Sequence, residues 1–88
     1  MTWKIEFDPK ARKEFKKISK DIQTDIRNFL RKKILNSSNP REFGKPLIHE
    51  KSGLWRYRVG IYRLICNIED DKLIIYVIRV AKRDKVYK

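Results

Sequence analysis

The segment spanning residues 55–63, Trp-Arg-Tyr-Arg-Val-Gly-Ile-Tyr-Arg, alternates large apolar and cationic residues on both sides of one glycine. Alternation with a period of two is typical of a strand that has one buried face. A glycine between two such runs is typical of a tight hairpin turn, and Gly60-Ile61 suits a two-residue type II′ turn with glycine first. The segment therefore predicts two antiparallel strands. Their apolar side chains are expected to be buried under other elements of the chain, and their arginines are expected to face solvent.

The turn also fixes the pairing across the hairpin, because a shift of one residue would move every side chain to the other face. It places Arg58 opposite Arg63 and Val59 opposite Tyr62. The face expected to be covered carries Trp55, Tyr57, Val59, Tyr62, Leu64, Cys66 and Ile68. The opposite face carries Arg56, Arg58, Arg63 and Ile65. The hairpin thus predicts a cationic surface on an open sheet face.

The rest of the chain supplies the expected cover and two more strands. Residues 3–7 alternate apolar and polar side chains, which predicts a first strand, and residues 8–9 (Asp-Pro) are typical of a helix start. An apolar stripe over residues 22–34 predicts a second helix, and about residues 72–82 form the last strand. The expected fold is α+β: an N-terminal strand, a two-helix hairpin and a three-stranded antiparallel meander in one sheet with helices on one face. We expect a single domain over residues 1–88, with Asn36–Pro46 as its long loop.

The connection before the last strand decides which of its side chains join the arginine face. A three-residue connection, Glu69-Asp70-Asp71, places Ile74, Tyr76, Ile78 and Val80 on the covered face. A two-residue Asp70-Asp71 turn instead places Leu73 and Ile75 there. We expect the three-residue connection, because it keeps Arg79 and Arg83 beside the arginines of the hairpin.

The formal net charge of +12, from 23 Lys and Arg against 11 Asp and Glu, favours a polyanionic partner. Lysine and arginine that neutralise phosphates release counterions, which drives binding to nucleic acid. The alternative is a basic chain held by an acidic protein partner.

Metal, disulfide and membrane chemistry are not expected. The only cysteine, Cys66, and the only histidine, His49, exclude an intrachain disulfide and a Cys/His metal cluster. We expect Cys66 to pack in the core and His49 to lie in a surface loop. The acidic residues show no spacing for a metal pair, so we expect no metal and no other cofactor. One cysteine and one histidine fit a reducing, cytoplasmic setting. No apolar run approaches membrane-spanning length, so we expect no membrane association.

Arginines that face one another on neighbouring strands destabilise a sheet by a few tenths to about 1 kcal/mol. Such a local violation without nearby compensation indicates a binding site, and arginine offers two permanently charged donors to a phosphate. We therefore expect Arg56, Arg58, Arg63 and Arg83 to form a phosphate site. Tyr87 is a candidate for stacking on a base or for exchanging a proton. The alternative is that the arginines are only solvated and that the tyrosine ring covers the edge of the core.

Three motifs have a counterpart in a known family. They are residues 7–11 (Phe-Asp-Pro-Lys-Ala), the hairpin segment 55–63, and residues 80–87 (Val-Ala-Lys-Arg-Asp-Lys-Val-Tyr). The match extends over nearly the whole chain, and the motifs resemble the RelE/ParE toxin superfamily, within it the RelE branch, whose members cut messenger RNA on the ribosome. The hairpin motif is quite specific, and the terminal motif supports it. The resemblance implies a strand–helix–helix–three-strand fold with a metal-free active site of basic residues on the open sheet face.

The resemblance also implies roles for individual residues. Arg56 and Arg58 match two basic positions of the second strand, Arg63 the arginine after the hairpin, Arg83 the arginine ending the last strand, and Tyr87 the tyrosine that stacks on or orients the substrate. The best-known member has lysine at the first two positions. Arginine hardly loses its proton, so we assign the four arginines to stabilising negative charge and leave the general base unassigned. The implied reaction is attack of a ribose 2′-hydroxyl on the adjacent phosphate, leaving a 2′,3′-cyclic phosphate or a 3′-phosphate.

The leading hypothesis is a type II toxin, a ribosome-dependent mRNA endonuclease that inhibits translation and is neutralised by an antitoxin. The implied partners are a cognate antitoxin, the ribosome with mRNA in its A site, and operator DNA through the toxin–antitoxin pair. Two alternatives stay open: a ParE-like inhibitor of DNA gyrase, and a non-catalytic nucleic-acid-binding subunit such as an inactivated toxin. The ending that carries Arg83 and Tyr87 argues against the gyrase inhibitor.

Overall fold

A computed structural model of the chain describes residues 3–47 and 53–82. In chain order its elements are β1 (Lys4–Phe7), α1 (Pro9–Lys16), α2 (Lys20–Phe29), β2 (Lys45–Pro46), β3 (Trp55–Val59), β4 (Tyr62–Glu69) and β5 (Ile74–Lys82). A π-helical turn (Leu30–Ile34) continues α2, and a 3-10 turn (Pro40–Phe43) precedes β2. The strands form one sheet in the order β1-β5-β4-β3-β2, in which β1 runs parallel to β5 and the other neighbours are antiparallel. The predicted α+β architecture is confirmed, and the edge strand β2 is an addition to it.

The helices begin and end where local chemistry favours it. The Asp8 carboxylate accepts a hydrogen bond from the Lys10 N–H at 3.0 Å, and Pro9 occupies the first helical position of α1. After α2, the Leu35 N–H donates to the Leu30 carbonyl at 2.9 Å, five residues back, which is the π-helical pattern. Among the described residues no helix is both long and apolar enough to cross a membrane.

The helices cover one face of the sheet with an apolar layer. The layer's fully buried members include Ile26 and Ile34 from the helical side and Tyr57, Leu64, Cys66, Ile75 and Val77 from the sheet. Cys66 is a free thiol with no exposed surface, and burial raises its pKa. Its predicted place in the core is confirmed.

The hairpin between β3 and β4 has the register that its sequence predicts. Val59 pairs with Tyr62, Arg58 with Arg63, Tyr57 with Leu64, and Trp55 with Cys66. Gly60 has a φ of +60°, whereas Ile61 does not have a positive φ, as a type II′ turn requires. Glycine supplies this conformation without a steric cost, which explains why the turn forms at that position.

The predicted register of β5 is wrong for the first half of the strand. The connection from β4 contains four residues, Asp70–Leu73, and Leu73 takes a φ of 56° within it. Its even length places Ile75 and Val77 in the core and sends Ile74, Tyr76 and Ile78 away from it. In this loop the Leu73 N–H donates to the Asp70 carbonyl at 3.3 Å. Because the loop has an even number of residues, the two faces of the first half of β5 are exchanged relative to the prediction.

A β-bulge then restores the expected face for the end of β5. Cys66 pairs with Val77, but its neighbour Ile65 pairs with Arg79, so Ile78 is an extra residue. Val80 consequently returns to the core with 2% exposure, as predicted. Ala81 comes to lie opposite Arg63 on the open face.

The Glu14 side chain of α1 closes the edge of β5 at this bulge. β1 pairs with β5 only as far as Val77, so the following N–H groups have no strand partner on that side. One Glu14 oxygen accepts from the Val80 N–H at 2.8 Å, and the other accepts from the Arg79 Nε at 2.9 Å. Arg79 keeps the expected place in the sheet register, since it pairs with Ile65, which pairs with Arg56, but its guanidinium is held by an ion pair to Glu14 of α1.

Candidate functional site

The open face of the sheet brings together four cations from three adjacent strands. Arg58 of β3 lies directly opposite Arg63 of β4, and Arg56 lies opposite Lys45 of β2. Directly paired residues of an antiparallel sheet share a face, so these four side chains form one group, here called the cationic patch. Three of them are residues that the sequence predicted for the site.

The members of the cationic patch differ in their access to water. Arg58 is exposed, Arg56 is half-buried, and Arg63 keeps only 7% of its surface exposed. Arg63 is the one charged residue that is buried within residues 3–47 and 53–82. A charge held out of water acts more strongly on a nearby phosphate than an exposed one, because the local dielectric is lower. Arg63 is therefore the member with the greatest expected effect on a bound phosphate.

A small apolar cluster lies beside the cationic patch on the same face. Leu47 and Ile65 are buried there, with Leu54, Ile78 and Ala81 packed against them. The open face is thus partly dry, which the alternation pattern did not reveal. Ile65 lies between the β3 arginine Arg56 and Arg79 in the sheet register, so the cluster and the patch are contiguous.

Lys45 was missed because it falls in the segment predicted as a loop. β2 has only two residues, which is too short for a period to be recognised. Its position depends on distant contacts rather than on local pattern. The nearest sequence signal is the apolar residue Leu47, two positions on, at the end of the predicted loop.

A pocket of about 320 Å³ extends the cationic patch toward the 3-10 turn. Its lining consists of Glu42, Phe43, Gly44, Lys45, Arg56 and Arg58. The wall formed by the turn is held by two hydrogen bonds from β3. The Tyr57 hydroxyl donates to the Pro40 carbonyl at 2.7 Å, and the Trp55 Nε1–H donates to the Arg41 carbonyl at 3.1 Å.

An exposed ion pair ties the same wall to the β4–β5 connection. The Arg41 guanidinium donates to both Asp70 oxygens, at 2.9 and 2.8 Å, and lies over the Trp55 ring at 5.8 Å from its centroid. These hydrogen bonds lower the pKa of Asp70. Burial raises the pKa of Tyr57, whose hydroxyl is committed to the Pro40 carbonyl. Tyr57 thus has a structural role and is not a candidate for proton transfer.

Two of the five predicted site residues, Arg83 and Tyr87, lie outside the described residues, as does His49. The structure therefore brings together Arg56, Arg58 and Arg63 and adds Lys45 to them.

The fold has counterparts among known proteins. The family described as "ParE toxin of type II toxin-antitoxin system, parDE" matches residues 5–87. The chain belongs to the RelE/ParE superfamily of type II toxins. The toxin RelG of Mycobacterium tuberculosis is 30% identical to it over 88 residues, which is 100% of this chain and 99% of the relative.

Two solved structures show the superfamily fold. A chain in the crystal structure of the toxin–antitoxin complex RelBE2 from Mycobacterium tuberculosis superposes with a TM-score of 0.83 and 29% identity, covering 94% of this chain and 93% of that one. A variant of the E. coli toxin RelE in the free state superposes with a TM-score of 0.78 and 26% identity, covering 99% and 90%. The chain is therefore a RelE-like type II toxin.

Replacing Arg58 with glutamine is expected to raise the free energy of unfolding by a few tenths to about 1 kcal/mol, because it removes the repulsion from Arg63. Urea unfolding followed by circular dichroism measures the change. Arg31→Gln is the matched control, since Arg31 is exposed on the π-helical turn and its loss alters the net charge equally. An Arg58→Gln chain no more stable than the control would contradict the idea that the patch is maintained at a cost in stability.

Proposed function

We propose that this toxin is a ribosome-dependent mRNA endonuclease that inhibits translation. The observation that carries the proposal is the cross-strand pair of Arg58 and Arg63, flanked by Arg56, on the open sheet face. Like charges at adjacent sheet positions are unfavourable without an anion, and a phosphodiester is an anion that arginine binds in two-point geometry.

The proposed reaction uses the RNA's own 2′-hydroxyl as the nucleophile. The O2′–P bond forms, the P–O5′ bond breaks, and the 3′ end carries a 2′,3′-cyclic phosphate that water can open to a 3′-phosphate. The 2′-hydroxyl loses a proton and the leaving O5′ gains one. Arg56, Arg58, Arg63 and Arg83 stabilise the negative charge that accumulates on the phosphorane oxygens, a contribution that needs neither a metal nor a change in their protonation.

Proton transfer needs a different kind of group, because arginine remains protonated at any physiological pH. Tyr87 is the residue proposed for this part of the site, either as a proton-transfer group or as a platform on which the base stacks. The general base is left unassigned.

We further propose a cognate antitoxin as the protein partner of this toxin in the cytoplasm. The support is the likeness to a toxin solved within the RelBE2 toxin–antitoxin complex. An acidic segment of the antitoxin laid over the cationic patch would neutralise its charge and exclude RNA. Ribosome-bound mRNA in the A site is the proposed substrate, and operator DNA is the proposed target of the toxin–antitoxin pair.

Primer extension on a translated mRNA tests the proposed activity. New 5′ ends are expected when the chain is added to translating ribosomes, and none on the same mRNA without ribosomes. The Arg63→Ala/Arg83→Ala double variant is the inactive comparison. Absence of ribosome-dependent ends, or full cleavage by the double variant, would overturn the proposal.

The second candidate is inhibition of DNA gyrase, favoured by the ParE description of the matching family. It predicts gyrase-dependent DNA breaks while mRNA stays intact. A non-catalytic nucleic-acid-binding subunit predicts salt-sensitive binding without growth arrest on expression.

A further inference from the structure

Phe43 is a large apolar side chain that the fold leaves partly exposed to water. Its exposed fraction is 38%, and Ile61, at the tip of the β3–β4 turn, is the only other large hydrophobic residue so exposed in the described part of the chain. Phe43 differs from Ile61 in its surroundings, because it lines the 320 Å³ pocket with Lys45, Arg56 and Arg58. An aromatic ring beside three cations is the combination that binds single-stranded nucleic acid.

The position of Phe43 is fixed by its neighbours on both sides. On the N-terminal side the carbonyls of Pro40 and Arg41 accept hydrogen bonds from Tyr57 and Trp55. On the C-terminal side Gly44 packs so closely on β3 that an added Cβ would lie 2.3 Å from the Arg56 carbonyl oxygen. The ring therefore projects from a segment whose backbone is held in place. Little binding free energy is lost in ordering the protein when a ligand stacks on this ring.

We propose that this pocket binds one unstacked nucleotide of the substrate RNA, next to the phosphate that is cleaved. The base stacks on the Phe43 ring, and Lys45 binds the phosphate of that nucleotide. This inference rests on the proposed function and adds a subsite to it. Arg56 and Arg58 belong to both the pocket and the cationic patch, so a strand that occupies one continues into the other.

Glu42 gives the subsite a means of discriminating between bases. Glu42 lines the same pocket, and its carboxylate accepts hydrogen bonds only. A carboxylate repels phosphate but binds the exocyclic amino groups of adenine, cytosine or guanine. The subsite therefore favours a base with an amino group over uracil.

The chemistry of the lining favours a nucleotide over a protein segment. Apart from Phe43 and Gly44, every side chain in the lining is charged. An aliphatic anchor from a peptide would find one ring to pack on and no second apolar wall. A planar base uses one ring face fully while its edge and its phosphate meet the charged groups.

The binding test uses the full chain and a hexanucleotide with 2′-O-methyl groups, which cannot be cleaved. A series in which one base at a time is removed is compared with the intact oligonucleotide by fluorescence anisotropy. For the unmodified chain, loss of the stacked base is expected to weaken binding about tenfold at one position of the series. Phe43→Ala and Phe43→Leu should abolish this difference, Phe43→Trp should retain it, and Ile61→Ala, the matched exposed apolar control, should leave it unchanged.

A cleavage assay on ribosomes separates this inference from the function on which it rests. Phe43→Ala should raise the half-saturating toxin concentration about tenfold while the maximal rate changes little, because stacking holds the substrate and takes no part in the bond changes. Glu42→Gln should reduce the preference among cut sites. Thermal unfolding establishes that Phe43→Ala is folded, because at 38% exposure part of the side chain packs against the fold.

The outcomes distinguish the subsite from the activity. If the chain cleaves mRNA and Phe43→Ala alters neither binding nor cleavage, the subsite is overturned and the activity stands. If no cleavage occurs but the base-dependent binding still requires Phe43, the activity is overturned and the subsite stands. If Phe43→Ala weakens only the complex with the antitoxin, the pocket binds a protein segment and the inference is wrong.

Discussion

Replacing Arg63 with methionine is expected to lower the rate of mRNA cleavage on the ribosome about 100-fold or more, the loss seen when one buried donor to a developing oxyanion is removed. Arg63 combines a place directly opposite Arg58 in the cationic patch with only 7% exposure. Its charge is screened less by water than that of Arg58, so its removal should cost more. The measurement is single-turnover cleavage of mRNA on programmed ribosomes.

Two comparisons identify the cause of the loss at Arg63. Arg63→Lys keeps the charge but loses the planar two-point donor, so an activity between that of the unmodified chain and that of Arg63→Met is expected. Arg31→Met changes the net charge equally on the helical side of the molecule and should cleave normally. Circular dichroism melts establish that each variant is folded. Cleavage by Arg63→Met within about threefold of the unmodified chain would contradict a role in stabilising the phosphorane.

The hairpin was predictable because its information is local. A glycine in a left-handed conformation fixes the turn, and alternating apolar and cationic residues fix the register on both sides. The pairing of Arg58 with Arg63 follows from these two features alone. Three of the predicted site residues, the two hairpin partners and Arg56, are therefore brought together as expected.

The register of β5 was not predictable from its alternation. Both faces of this strand are apolar, since Ile75 and Val77 face the main core while Ile78 and Ala81 face the smaller cluster of the open face. Alternation with a period of two shows which face of a strand is buried only when the residues of the other face are polar. The bulge at Ile78 adds a second change of parity that depends on tertiary contacts, including the Glu14 carboxylate at the Val80 N–H.

The pocket wall was missed because distant residues determine it. Arg41 meets Asp70, which is 29 positions away in the chain, and the Trp55 indole meets the Arg41 carbonyl across 14 positions. Neither contact leaves a local periodicity. The position of this wall also determines where Phe43 and Lys45 lie in the pocket. Periodicity therefore predicts the arginines of the hairpin but not these two residues.

Replacing Gly44 with alanine is expected to destabilise the chain by about 1–3 kcal/mol, the usual cost of forcing an extra group into a packed site. The backbone of Gly44 is extended, with φ −142° and ψ −166°, so alanine meets no conformational penalty. The obstacle is space, because a Cβ would lie 2.3 Å from the Arg56 carbonyl oxygen and 2.8 Å from the Trp55 Cδ1. For a domain of this size the melting temperature should fall by roughly 4–8 °C per kcal/mol.

The effect of Gly44→Ala should be confined to the 3-10 turn that forms the pocket wall and to the strand β2 that follows it. To relieve the clash β2 must move away from β3, which displaces Lys45 from Arg56 and lengthens the bond from the Trp55 indole to Arg41. The pair of Arg58 and Arg63 depends on the β3–β4 turn and should persist. The Trp55 indole N–H signal in a nitrogen–proton NMR spectrum should therefore shift, while amide signals of the β3–β4 turn stay in place. Ser38→Ala, at an exposed position of the same connection, is the control, and a melting temperature for Gly44→Ala equal to that of the control would show that β2 does not hold the wall against β3.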